Sequence, residues 1–108
     1  MSEIQEINSD SFQATVLDSS VPVLVDFSTP WCGPCLKLTP VLEQIQNEFL
    51  NEIKIIKINA DENIELVKEY GVSSFPTLII IKEKEAKEFM VGSIPKSAIV
   101  SNIKKHIN

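Results

Sequence analysis

"VLVDFSTPWCGPCLKLTP", residues 23–40, carries the only two cysteines of this 108-residue chain, Cys32 and Cys35, with Gly33 and Pro34 between them. The stretch changes character midway. Residues 23–27 are apolar apart from Asp26, as in a strand covered on both faces. From Cys35 onward the apolar residues recur at helical spacing. The cysteines therefore sit where a strand ends and a helix begins. Residues i and i+3 share a helix face, close enough for the Cα separation of about 4.4–6.8 Å that a disulfide requires. The first cysteine falls at the helix N-terminus, where unpaired amide donors and the positive dipole end stabilise a thiolate. Pro34 suits the first turn, because its missing N–H would have no intrahelical partner. The pattern builds an activated nucleophile, Cys32, with a second thiol, Cys35, beside it to resolve a mixed disulfide.

Two blander readings compete with redox chemistry. A zinc site needs about four ligands, and the remaining supply of cysteine and histidine is His106, near the C-terminus. Buried cysteines also serve as small core residues, but that reading ignores the placement at a strand–helix junction. His106 itself suits the C-terminal end of a last helix as a dipole partner.

Outward from the motif, "VPVLVDF" (21–27), "IKIIKINA" (53–60) and "TLIIIK" (77–82) read as strands. "AKEFMVG" (86–92) is a further candidate and "EIQEI" (3–7) an edge one. Between them lie helical patterns. Ser9 and Asp10 are candidate caps of a first helix. "CLKLTPVLEQIQNEF" puts Leu38, Val41, Leu42, Ile45 and Phe49 on one face, with Pro40 expected to kink it. "ENIELVKEYG" offers Ile64, Leu66 and Val67, and Gly71 as a stop. "IPKSAIVSNIKKHI" repeats apolar residues at 99, 100, 103 and 107. The order β-α-β-α-β-α-β-β-α implies an α/β fold, with a mixed five-stranded sheet flanked by four helices on its two faces. The last two strands, joined by "EKE", form an antiparallel edge hairpin. "KEKEAKE" reads as a charged edge that discourages further pairing, and "GSIPKS" lacks the spacing of a phosphate loop.

Length and composition fit one domain, residues 1–108, with its own hydrophobic core. Fifteen acidic against ten basic side chains give a formal charge of −5, which disfavours binding to nucleic acid or an anionic membrane. The longest apolar run, 77–81, is too short to cross a bilayer. The acidic start "MSEIQEINSD" has neither the basic nor the apolar region of a secretory signal, so a cytoplasmic location is expected. There, two cysteines seldom form a merely structural bond.

"WCGPC" after "VDF", "SFPT" some forty residues on and "VGS" later resemble the thioredoxin family, and the resemblance covers essentially the whole chain. It implies the thioredoxin fold and a general protein-disulfide reductase working through a Cys32–Cys35 dithiol/disulfide couple. It also implies roles for further residues. Asp26, otherwise read as a solvated or turn-forming aspartate, matches a buried carboxylate that accepts the Cys35 proton. Lys57, otherwise an exposed strand lysine, matches a lysine that modulates that carboxylate. Gly33 and Pro34 tune the redox pair. Trp31, Phe75, Pro76 and Gly92 match the substrate-binding surface, with Phe75–Pro76 cis and Trp31 exposed beside the nucleophile. No bound cofactor or metal is implied. Electrons come indirectly, from NADPH or another donor, through a thioredoxin reductase, because the chain has no dinucleotide fingerprint. The partners implied are that reductase and disulfide-containing target proteins, met by a monomer.

The chain departs from the family's commoner residues at Ser28, at Thr29-Pro30, at Leu36 and at Lys84. None belongs to the redox pair. Pro30 and Leu36 fall near the expected contact rim and bear on partner preference. A same-fold oxidant or isomerase and a binding module with dispensable thiols are the rival functions. Gly-Pro between the cysteines speaks against the first.

Overall fold

The computed structural model describes residues 3–107. Its elements follow in the order β1 (Gln5–Glu6), α1 (Ser9–Phe12), β2 (Val23–Ser28), α2 (Gly33–Glu48), β3 (Lys54–Asn59), α3 (Ile64–Glu69), β4 (Thr77–Lys82), β5 (Glu85–Val91) and α4 (Lys96–Lys104). A π-helical stretch, Gln13–Leu17, continues α1, and a 3-10 turn, Ala60–Glu62, precedes α3. The strands form one mixed sheet in the order β1-β3-β2-β4-β5. β1 and β2 run parallel to β3, while β4 runs antiparallel to both β2 and β5. This is the mixed five-stranded sheet with four helices that the order of elements implies.

Strand alternation sorts the core into two layers. Val23, Val25 and Phe27 of β2 join Ile56, Ile58, Ile79 and Ile81 under α1 and α3, with Phe12, Val16 and Leu66 from the helical side. Leu24 joins Ile55, Leu78 and Ile80 on the opposite face, packed by Leu38, Leu42 and Ile45 of α2 and Ile99 and Ile103 of α4. All six residues of β2 are buried, including Asp26 and Ser28. Two covered faces explain why this strand reads as a nearly continuous apolar run.

Several local expectations give way to tertiary structure. Neither Ser9 nor Asp10 caps α1. The N-cap is Asn8, which makes no side-chain cap bond, and the Ser9 N–H instead donates to Asn63 Oδ1 at 2.8 Å. Asn63 is buried just before α3, so the cap comes from 54 residues away. Ile64 faces solvent, because α3 rests on Leu66 with Val67 and Tyr70 at its side. The strand read over 53–60 ends at Asn59, whose side chain accepts the Asp61 N–H and starts the 3-10 turn. α2 carries Pro40 within its span, so the proline does not end the helix.

The edge hairpin is tighter than "EKE" suggests. Lys82 already pairs with Glu85, leaving Glu83 and Lys84 as the two central residues, both left-handed at φ 54° and 70°. Both angles positive is the requirement of a two-residue turn that matches sheet twist. Lys84 takes it without being glycine, its ammonium held by Asp18 at 2.9 Å and the Leu17 carbonyl at 3.3 Å. A register shift between Ile80 and Ile81 leaves Lys87 without a cross-strand partner, a bulge on the outer strand of the kind that discourages edge pairing.

Candidate active site

β2 lies between a parallel and an antiparallel neighbour, and the chain leaves its C-terminal end through Thr29, Pro30 and Trp31 into α2. Crevices at such points of an α/β sheet are where ligands commonly bind. Cys32 is the N-cap of α2, with extended backbone, and Pro34 occupies the first turn. The Cys35 N–H donates to Cys32 Sγ at 3.2 Å, using one of the amides that a helix start leaves unpaired. The two cysteines form a disulfide, with Cα atoms 5.2 Å apart. Both cysteines are largely buried, Cys32 keeping 7% of its surface exposed and Cys35 3%.

Across the sequence, the loop before β4 closes over the pair. The Phe75 carbonyl lies 3.7 Å from Cys32 Sγ, and the Phe75–Pro76 bond is cis. The Pro76 carbonyl accepts the Gly92 N–H at 2.9 Å, which ties the end of β5 to the same spot. Gly92 has φ +88°, and a Cβ built on it would meet nothing within 4 Å. Gly33, Pro34 and Gly92 line one groove of about 450 Å³ together with Lys37, Val41 and Ile94. Trp31 is 70% exposed on the surface beside Cys32, and its Nε1–H donates to Asp61 Oδ2 at 2.9 Å. Asp61 escaped the sequence reading. Its only sequence signal is its place just after β3, and the contact that matters spans 30 residues.

The sheet carries the polar part of the site. Asp26 is fully buried, and neither carboxyl oxygen has a hydrogen-bond partner among the described residues. Burial therefore pushes its pKa up to about 7, a rise the positive charge of Lys57 partly offsets. Asp26 and Lys57 are register partners on β2 and β3, so their side chains leave the same face of the sheet, the one under α2. Lys57 is half-buried and donates to Thr39 Oγ1 at 3.4 Å. It also lines a cleft of about 180 Å³ with Cys35, Ser28, Thr29, Pro30 and Glu6. Of the departures from the family, Ser28 and Thr29 are buried and Leu36 is exposed at the cleft mouth.

The structure thus brings Cys32, Cys35, Gly33, Pro34, Phe75, Pro76 and Gly92 together, with Trp31 exposed beside Cys32 and Asp26 and Lys57 paired on β2 and β3. His106 stands apart, its ring 2.9 Å from Glu88 Oε2. Among the described residues no cluster of His, Cys, Asp or Glu is suited to hold a metal, and no helix is long and apolar enough to cross a membrane.

Comparison with known proteins agrees with this geometry. The thioredoxin family model matches residues 3–105. "Thioredoxin 1" of Nostoc sp. is 41% identical over 107 residues, covering 99% of this chain and 100% of that protein. "Thioredoxin" of Haemophilus influenzae is likewise 41% identical, over 99% and 100% of the two chains. "Thioredoxin M-type, chloroplastic" of Chlamydomonas reinhardtii is 42% identical over 98% of this chain and 76% of its own length. With a cysteine pair at a helix N-terminus, on this sheet and under this match, the chain belongs to the thioredoxin family and is a thiol–disulfide oxidoreductase.

Proposed function

We propose that the chain, acting as a single domain and a monomer, is a general protein-disulfide reductase recycled by a thioredoxin reductase. The observation that carries this reading is the Cys35 N–H aimed at Cys32 Sγ at the start of α2. That donor and the helix dipole stabilise a thiolate on Cys32.

The target's extended chain lies in the groove between Trp31, Gly33–Pro34 and Gly92. Its backbone pairs with Phe75 by strand addition. The Cys32 thiolate attacks a target sulfur, forming the Cys32–target bond and breaking the target disulfide. The expelled target sulfur leaves as a thiolate and takes a proton from solvent. Cys35 then passes its proton to the Asp26 carboxylate, a base whose raised pKa suits proton transfer near neutrality. The Cys35 thiolate attacks Cys32 and expels the second target thiolate. The target gains two electrons, and the protein ends in the Cys32–Cys35 disulfide seen here. Two electrons from a reductase, originating in NADPH or another donor, regenerate the dithiol. A reducing compartment such as the cytoplasm is where such a couple runs in this direction.

Mixing the reduced protein with a protein joined by interchain disulfides tests the reading. The wild type should separate the target chains, Cys32→Ser should not, and Cys35→Ser should accumulate a covalent adduct through Cys32. Full activity in the double serine variant would contradict it and point to a binding module.

A further inference from the structure

We propose that Thr39 is a positioning residue for the resolving step: its hydroxyl anchors the Lys57 ammonium beside Asp26 and so sets the pH at which Cys35 gives up its proton. The inference rests on the reading of Asp26 as proton acceptor and adds what holds Lys57, its charged register partner, in place.

The bonding of the hydroxyl is specific. Thr39 Oγ1 donates to the Cys35 carbonyl at 3.4 Å, one helical turn back along α2. With its hydrogen committed there, its lone pairs remain as acceptors, and Lys57 Nζ approaches them at 3.4 Å. Among the described residues this is the one hydrogen bond that Lys57 Nζ makes. A lysine stem is long and mobile, and its head group seeks water when unanchored. Here an exit lies at hand. Lys57 lines the cleft whose mouth includes the exposed Glu6, Pro30 and Leu36, and Glu6 is its register partner on β1. An unanchored ammonium moves toward that carboxylate and away from Asp26.

The groups facing Asp26 leave few other sources of such control. β4 offers Leu78 opposite Asp26, and β3 offers Lys57. α2 offers apolar Leu38 and Leu42 together with Cys35, which does not titrate while in the disulfide. Lys57 is thus the charge that offsets part of the cost of burying the Asp26 carboxylate, and Thr39 is what holds Lys57.

The test uses Thr39→Val, which keeps the side-chain shape without the hydroxyl, and Thr39→Ser, which restores it. An opposite charge within about 4–6 Å lowers a carboxyl pKa by about 1–3 units, and moving it away returns part of this. In the oxidised protein, carbon-13 titration of the Asp26 carboxyl should move upward by about 0.5–1 pH unit in Thr39→Val and return in Thr39→Ser. In the reduced protein, stopped-flow reaction with 5,5′-dithiobis(2-nitrobenzoate) separates Cys32 attack from Cys35 resolution. The second release should slow about 3- to 10-fold at pH 6 and be unchanged at pH 9, since well below its pKa the base fraction falls tenfold per unit. The first release should not change, which excludes a general disturbance of α2. An unmoved Asp26 titration in Thr39→Val, or failure of Thr39→Ser to restore it, overturns the proposal. Asp26→Asn separates the two layers: a pH midpoint of resolution that survives this change overturns the base assignment, and the link from Thr39 to resolution with it. The carboxyl titration alone then still reports whether Thr39 holds the lysine.

Discussion

The backbone N–H of Cys35 points at the sulfur of Cys32 across 3.2 Å, so the helix that carries the cysteine proposed to resolve also donates to the one proposed to attack. A negative sulfur gains more from this donor than a neutral thiol does. Cys32 should therefore titrate at least about one unit below the roughly 8.5 of a free thiol. The pH dependence of alkylation by iodoacetamide, followed in the Cys35→Ser variant, measures it. A midpoint at or above 8.5 would show that the helix start does not activate this thiol.

Asp26 makes the protein less stable as pH rises. Its pKa is about 7 in the fold against 3.8 for the unperturbed group, so between these values the folded state holds a proton that the unfolded chain has lost. Stability then falls with pH across that window and levels off above about pH 7. Asp26→Asn removes the buried charge. Urea unfolding should show the variant more stable than wild type by up to about 4 kcal/mol at pH 8, with little difference at pH 4. A gap independent of pH would show that the carboxyl is not titrating as its burial implies.

Gly92→Ala separates backbone cost from docking. At φ +88° any side chain is strained, and the left-handed region costs an L-residue about 1–2 kcal/mol. The added methyl meets no atom of the protein within 4 Å, and Gly92 lines the groove proposed to take a target chain. Equilibrium unfolding should record the loss of stability. Steady-state reduction of a protein disulfide should show KM rising more than kcat falls. An unchanged KM would remove Gly92 from the docking surface.

What the sequence disclosed and what it hid divide along contact range. The strand–helix junction at Cys32–Cys35 was legible because its signals are adjacent: an apolar run, two cysteines three apart, and a proline that fits a first helical turn. The burial of β2 followed from apolar residues on both of its faces. The cap of α1 was not legible, because Asn63 reaches Ser9 only after the sheet has formed. Ile64 looked like a core residue until α3 proved short and rotated onto Leu66. Trp31–Asp61 and Lys57–Thr39 were hidden for the same reason. Each joins a residue near the motif to one on or just after β3, 30 and 18 positions away. The hairpin was placed correctly to within a residue, but the left-handed Glu83 and Lys84 carry no glycine or asparagine to announce them.

The reduction potential of the Cys32–Cys35 couple tests the central claim most directly. Equilibration against a thiol–disulfide buffer, with alkylation to count the reduced fraction and Trp31 fluorescence as a second readout, measures it. A reductase should give a value near the roughly −270 mV of thioredoxin. A value between about −180 and −120 mV, the range of isomerases and oxidants, would contradict the account and make this chain a donor of disulfides.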